Sequence, residues 1–189
     1  SGEPFNRPTH ATISPKSGDI YITDGYGNSR VHRFSLEGKH ILSWGSPGID
    51  PGQFIRPHNI IIDEEENIYV ADRECHRIQI FDAKGQFIDM WNNIHRPDGI
   101  TFGSDGNIYI AELNGMDGME GCPGLGHRIS VYSKNGALLA RFGGENEGEE
   151  AGNFIAPHGI AVDSLGDIYV GEVSFSIRGR LLEPPRELK

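Results

Sequence analysis

Four residues in the sequence have side chains that could take part in a reaction, and two of them occupy the same position of a repeat. His58 and His158 each follow a proline and precede an apolar segment, so the two imidazoles occupy the same position of a repeated pattern. Imidazole suits zinc, and three such ligands leave one position open for water or substrate. The phenol of Tyr26 can take a proton, and the guanidinium of Arg73 can bind a carboxylate through two parallel N–H bonds. Together these groups would suit zinc-assisted chemistry on a substrate with a hydroxyl and a carboxylate.

Each of these residues also has a structural interpretation. A histidine after a proline can be a turn residue, Tyr26 can pack a loop, and Arg73 can pair with Asp72 or Glu74. His10 is one place out of the repeated position and is interpreted as a turn residue. The other histidines are expected at the surface, on outer strands or loops: His32, His40, His76, His95 and His127.

The elements that would position the four residues recur along the chain. Each repeat has a proline, a short apolar strand, a turn with Asp, Ser, Asn or Gly, and a second strand of nearly constant sequence. The first strands are predicted at 11–13, 60–62, 100–102 and 160–162, and the second at 19–24, 67–72, 107–112 and 167–172. Three repeats continue into a third strand at 30–34, 77–81 and 128–132 and a fourth at 39–44, 86–91 and 137–142.

Four short strands per repeat predict the blades of an all-β β-propeller. The repeats follow one another at intervals of 48, 40 and 60 residues, and Gly-rich insertions at 113–126 and 143–152 explain the longest interval. β-branched and aromatic residues dominate the second strands, which is typical of strands packed on both faces between neighbouring blades. The expected blades span about 5–50, 51–94, 95–150 and 151–189, the last one incomplete.

A carboxylate ends every predicted second strand. These residues are Asp24, Asp72, Glu112 and Glu172. Because all four repeats keep the acid at this place, we expect it to accept hydrogen bonds from loop N–H groups rather than to take part in chemistry.

Composition narrows the classes of function. The 189 residues include 23% charged and 37% hydrophobic residues, which argues against disorder, and no apolar run is long enough to predict a membrane-spanning helix. The net charge of −10 argues against a nucleic-acid partner, which would require clustered Lys and Arg. Two cysteines, Cys75 and Cys122, are too few for a disulfide scaffold; two thiols or a single bridge are both compatible with the sequence.

The repeat consensus resembles the NHL family of propellers. The residues that carry the resemblance are PHGIAVD at 157–163, DIYV at 167–170 and RIQIF at 77–81. Such propellers usually close with six blades, so this chain would be a piece of a longer protein or would complete its ring with another chain. A closed ring of four blades is the alternative. We expect the 189-residue chain to self-associate, because the outer blades would each leave an apolar face uncovered.

One subgroup, the peptidyl-α-hydroxyglycine α-amidating lyases, resembles the chain most closely. The shared stretches are DGYGNSR at 24–30, WG at 44–45, PGQF at 51–54, PH at 57–58 and ADRE at 71–74. The resemblance implies a zinc ion held by three histidines, a tyrosine base and carboxylate-binding arginines, with a peptide amide and glyoxylate as products. The resemblance implies that His58 and His158 are zinc ligands, that Tyr26 is the base and that Arg73 is one of the carboxylate-binding arginines. The third zinc histidine would lie in blades that precede this chain.

Blade geometry adds to this resemblance. In a six-bladed ring alternate blades are 120° apart, so equivalent side chains such as His58 and His158 would converge on the axis. The intervening units carry Thr9 and Asp98 at the same position. The lyases have a calcium-binding aspartate after the last zinc histidine, where this chain has Gly159, so a calcium site is not expected.

Two functions from different classes remain open at this point. The first is a lyase-like enzyme with a zinc site on the propeller axis, acting on a small-molecule or peptide ligand. The second is a non-catalytic propeller that presents its loops to a protein or a small ligand. Both are known uses of the propeller, so the fold alone does not choose between them.

Overall fold

The computed structural model describes residues 3–115 and 125–188. In these ranges the chain forms fourteen β-strands and three short helical segments. Its contacts divide it into two compact units, Ser1–Ile94 and His95–Lys189, which are described separately below. Most of the predicted insertion at 113–126, including Cys122, lies outside the described residues.

The first unit contains two antiparallel sheets of four strands, each paired in chain order. The first sheet consists of β1 (His10–Ile13), β2 (Ile20–Asp24), β3 (Arg30–Phe34) and β4 (His40–Trp44). The second consists of β5 (Pro57–Ile62), β6 (Ile68–Asp72), β7 (Arg77–Phe81) and β8 (Phe87–Trp91). A 3-10 helix, Arg73–Cys75, joins β6 to β7. Strands paired in this simple order are the blade units that the sequence repeats predict.

The second unit contains one four-stranded sheet and one two-stranded sheet. The larger sheet consists of β9 (Pro97–Phe102), β10 (Ile108–Glu112), β11 (Arg128–Tyr132) and β12 (Leu138–Phe142). The smaller consists of β13 (Pro157–Val162) and β14 (Ile168–Glu172), followed by α1 (Ser174–Ile177) and a 3-10 helix, Gly179–Leu181. Among the described residues no helix is both long and apolar enough to span a membrane.

The core of the first unit lies between its two sheets. Every residue of β6 (IYVAD) and β7 (RIQIF) is buried, the polar Asp72, Arg77 and Gln79 included. The packed cluster comprises Tyr21, Val31, Phe54, Ile60, Ile62, Ile68, Val70 and Phe81, with Trp44 against its edge. This packing holds the loops after β2 and β6 in fixed positions, and those loops carry Tyr26 and Arg73.

The inner strands of the second, third and fourth blades begin earlier than predicted. The expectation that His58 and His158 precede the strand was wrong, because β5 and β13 already start at Pro57 and Pro157. The strand register shifts between Pro57 and Asn59, and again between Pro157 and the residue two places on. Each histidine is therefore the extra residue of a β-bulge, a feature that redirects a side chain and is common beside functional sites.

The repeated carboxylates accept loop N–H groups, as predicted. The carboxylate of Asp72 accepts the N–H of Ile55 and of Arg56 at 3.1 and 3.3 Å, and Glu112 accepts that of His95 at 2.8 Å. Asp24 and Glu172 bond the equivalent segments of the first and last blades. In this way each second strand holds the loop that leads into the first strand of its own blade.

Three histidines expected at the surface are buried, so that expectation was wrong for them. His32, His95 and His127 are only 4, 5 and 6% exposed. His32 lies on the side of β3 covered by the ring of Phe5, and its Nδ1 is 2.7 Å from the Ser43 hydroxyl. Burial lowers the pKa of His32, while the nearby Asp24 carboxylate opposes this shift.

Candidate functional site

Tyr26 and His58 meet in the first unit. The phenol oxygen of Tyr26 lies 3.2 Å from Nε2 of His58, and the two rings stand edge to face with centroids 5.7 Å apart. His58 is buried, whereas Tyr26 is 40% exposed. A hydroxyl at hydrogen-bond distance from an imidazole, with one side open, can exchange a proton with a bound molecule.

Glycine at position 25 permits this approach. A Cβ on Gly25 would lie 2.1 Å from the carbonyl oxygen of Pro57, a distance that no real side chain tolerates. The loop after β2 therefore passes directly over the start of β5 and places Tyr26 beside His58. Thr9 stabilises the start of β5 as well, because its hydroxyl donates a hydrogen bond to the Pro57 carbonyl at 2.8 Å.

Two guanidinium groups cover the Tyr26 ring. Arg73 and Arg56 have their guanidinium carbons 5.6 and 5.1 Å from the ring centroid, within the range of cation–π contact. Arg73 pairs with Glu74, one of the two partners considered from the sequence, but it is only 5% exposed and so lies below the surface. Glu74 accepts N–H groups from both arginines, at 3.0 Å from Arg73 and 3.2 Å from Arg56. The Glu74 carboxylate therefore holds both guanidiniums next to the Tyr26 ring.

The backbone around the two arginines is hydrogen-bonded to Asp72, one of the repeated carboxylates at the ends of the second strands. Asp72 accepts the N–H of Arg56, and the N–H of Arg73 donates to the carbonyl of Arg56 at 3.0 Å. The two cationic side chains therefore come from adjoining, hydrogen-bonded segments. With Glu74 between them, the two guanidiniums leave one net positive charge beside Tyr26, which favours an anionic ligand such as a carboxylate.

Arg56 and His10 are site neighbours that the sequence interpretation missed. Arg56 belongs to the segment that ends in Pro57 and His58, and that proximity was the available signal. His10 begins β1 rather than sitting in a turn, and it is exposed. Partial desolvation and the nearby His58 lower the pKa of His10.

In the second unit His158 lies beside a buried carboxylate. Its Nε2 is 3.5 Å from Oδ1 of Asp98, whose side chain is fully buried. The next residue is Gly159, which offers no side-chain oxygen. The first unit thus brings together Tyr26, His58 and Arg73, and the second unit holds His158 with Asp98.

Comparison with known proteins also indicates a β-propeller. Residues 10–95 match a family model described as a 6-bladed beta-propeller. The chain is 30% identical over 184 residues to peptidyl-glycine alpha-amidating monooxygenase B of Xenopus laevis, covering 89% of this chain and 19% of that protein. It is 31% identical to peptidyl-alpha-hydroxyglycine alpha-amidating lyase 1 of Drosophila melanogaster, covering 92% and 34%. With human NHL repeat-containing protein 3 it shares 33% identity, covering 58% and 33%.

Solved structures agree on the fold. A streptogramin B lyase superposes with a TM-score of 0.67 at 19% identity, covering 93% of this chain and 51% of that one. Identity at this level establishes the fold and nothing about the reaction. The chain spans about a fifth of the length of the amidating monooxygenases it matches, and about half of this solved propeller.

Antiparallel four-stranded sheets repeated along the chain, together with these matches, define an all-β propeller. Within that class the protein is an NHL-type propeller close to the peptidyl-α-hydroxyglycine α-amidating lyases.

Proposed function

We propose that the protein acts as a metal-dependent lyase on an N-acyl-α-hydroxyglycine, which is either a peptide or a small molecule. The reaction breaks the bond between the amide nitrogen and the hydroxyl-bearing carbon and yields a primary amide and glyoxylate. The observation that supports it best is the 3.2 Å contact between the Tyr26 hydroxyl and His58 Nε2, with the Arg73 guanidinium over the same ring.

Tyr26 serves this reaction as the group that moves the proton. Its phenol oxygen accepts the proton of the substrate hydroxyl and donates its own proton to the departing amide nitrogen, while the carbonyl of glyoxylate forms and the carbon–nitrogen bond breaks. One proton enters and one leaves the phenol, so Tyr26 returns to its starting state. The open side of the Tyr26 ring leaves room for a substrate to approach its hydroxyl.

Arg73 binds the carboxylate of the substrate, which becomes the carboxylate of glyoxylate. A guanidinium can hold a carboxylate through two parallel N–H bonds, and burial strengthens such bonds. Glu74 fixes the orientation of Arg73 through its Nε, and Arg56 adds a second positive charge on the same side. The two arginines also select against substrates that lack the acid.

The donor atoms suit zinc. His58 and His158 both sit at β-bulges and are the residues that would hold the ion, because neutral imidazole is a preferred zinc ligand. When bound, zinc would polarise the substrate hydroxyl and make its proton easier to remove. No calcium site is proposed, since Gly159 supplies no side-chain carboxylate.

Release of glyoxylate from an N-acyl-α-hydroxyglycine tests the role of Tyr26. In the zinc-supplied full-length protein, Tyr26→Phe should lower kcat by about 10²–10⁴-fold, because the phenol is lost while the ring stays. The matched control is Tyr109→Phe, which removes a hydroxyl that bonds the turn residue Asp105 at 3.1 Å and should leave kcat unchanged. A normal kcat in the Tyr26→Phe protein would exclude Tyr26 as the group that moves the proton.

The role of Arg73 has a different kinetic signature. Arg73→Lys keeps the charge but loses the paired N–H groups, so it should raise KM by more than it lowers kcat. If the wild-type protein binds such ligands but does not convert them, its function is that of a non-catalytic binding propeller.

A further inference from the structure

Asp98, the neighbour of His158, distinguishes this candidate metal site from one that consists of histidines alone. Asp98 lies on β9 and is fully buried, and its Oδ1 stands 3.5 Å from Nε2 of His158. A buried carboxylate is retained in a protein when a cation or strong donors compensate its charge.

The backbone places Asp98 as it places the metal-site histidines. Asp98 follows Pro97 as each histidine follows its proline, and the register of β9 against β10 shifts at the same point. Pro97 pairs with Glu112 and Ile100 with Ile110, so Asp98 and Gly99 together oppose one residue of β10. The third blade thus presents a carboxylate where the fourth presents an imidazole.

Close contact between β9 and β13 brings the two ligand atoms together. A Cβ on Gly99 would lie 2.5 Å from the carbonyl oxygen of His158 and 3.1 Å from the backbone nitrogen of Ile160. Only glycine allows the strands to approach this closely. The spacing of Asp98 and His158 is therefore set by backbone packing rather than by an adjustable surface contact.

The distance itself distinguishes a ligand pair from a hydrogen bond. A charge-assisted bond between an imidazolium and a carboxylate measures about 2.7–2.9 Å, well below the observed 3.5 Å. Zinc bonds of about 2.0–2.1 Å to nitrogen and 2.0–2.2 Å to oxygen, at a tetrahedral angle, hold the two ligand atoms about 3.4 Å apart. The observed separation of Nε2 and Oδ1 matches the second arrangement.

We propose that Asp98 is a ligand of the same metal ion as His158, which makes the centre a mixed imidazole–carboxylate site. This inference rests on the proposed function only in taking a metal to be present. The carboxylate contributes one negative charge to the centre and thereby strengthens its hold on a divalent cation.

Zinc binding to the full-length protein, measured by competition with a chromophoric chelator, tests the inference. Asp98→Asn should weaken zinc binding by at least about 100-fold, comparable to His158→Ala, because each removes one metal bond. Asp98→His, which supplies a nitrogen in place of the oxygen, should restore most of the affinity. Asp105→Asn, in an exposed turn of the same unit, is the control and should bind zinc normally.

X-ray absorption at the zinc edge separates a ligand from a residue that only orients His158. The wild-type spectrum should contain a carboxylate oxygen at about 2.0–2.2 Å, which Asp98→His replaces with nitrogen. If His158→Ala loses zinc while Asp98→Asn keeps the wild-type affinity and spectrum, Asp98 is not a ligand, although the proposed function stands. If the wild-type protein binds no zinc, this inference and the metal dependence of the proposed function fall together.

Discussion

Replacement of Asp72 by alanine would remove the carboxylate that joins the fold to the candidate site. Asp72 is fully buried at the end of β6. Its Oδ1 accepts two backbone N–H groups, those of Ile55 and Arg56, and its Oδ2 accepts the Nε–H of Arg77 at 2.9 Å. Alanine would leave the Arg77 guanidinium, which is also buried, without its carboxylate partner.

The expected cost follows from these contacts. Breaking a buried ion pair from one side costs about 3–5 kcal/mol, and the two N–H groups add to this if water does not reach them. At about 2–4 °C per kcal/mol for a chain of this size, Tm should fall by about 6–20 °C. Few single substitutions have so large an effect.

Tryptophan fluorescence during urea unfolding is the suitable assay. The chain has two tryptophans, Trp44 and Trp91, and both lie in the first unit with Asp72. The matched control is Glu64→Ala, an exposed residue of the same unit that should change the free energy of unfolding by less than about 0.5 kcal/mol. An Asp72→Ala protein within about 1 kcal/mol of wild type would refute the structural role assigned to the repeated carboxylate.

Two further predictions concern the site and its pH dependence. Gly25→Ala should lower kcat/KM for glyoxylate release by more than 10-fold, because the new Cβ would lie 2.1 Å from the Pro57 carbonyl oxygen and push Tyr26 away from His58. The control is Gly171→Ala, whose Cβ would lie 4.0 Å from the nearest atom of a residue not adjacent in the chain. Equal activities of the two variants would contradict the prediction. The free energy of unfolding should fall as pH drops below about 6.5, because burial lowers the pKa of His32 in the folded state and the unfolded chain therefore binds more protons. Urea midpoints at pH 7.5 and 5.5 measure this fall, which should shrink in a His32→Gln protein; an equal fall in that protein would assign it to other groups.

The strands and their order could be predicted from the sequence because each blade repeats the same local pattern. The alternation around Ile68 and Tyr69 marks a strand in any context, and the acid at the end of each second strand repeats with its hydrogen-bond role. Local patterns of this kind need no knowledge of which residues meet across the fold.

The contacts of the site could not be predicted in the same way. The proximity of Tyr26 to His58 depends on a bulge in β5 and on the missing Cβ of Gly25, neither of which has a periodic signal. Asp98 was recognised only as the residue at the repeated position, since its closeness to His158 requires the packing of β9 on β13. The burial of His32 depends likewise on Phe5, which precedes β1 in the chain and packs its ring against His32.

The central claim is that this propeller carries a lyase-like site, and wild-type turnover tests it most directly. Zinc-supplied full-length protein, incubated with an N-acyl-α-hydroxyglycine, should release glyoxylate and the primary amide in equal amounts, and a chelator should suppress the release. Release no faster than in a protein-free solution, with zinc bound and the protein folded, would contradict the claim and leave a binding propeller.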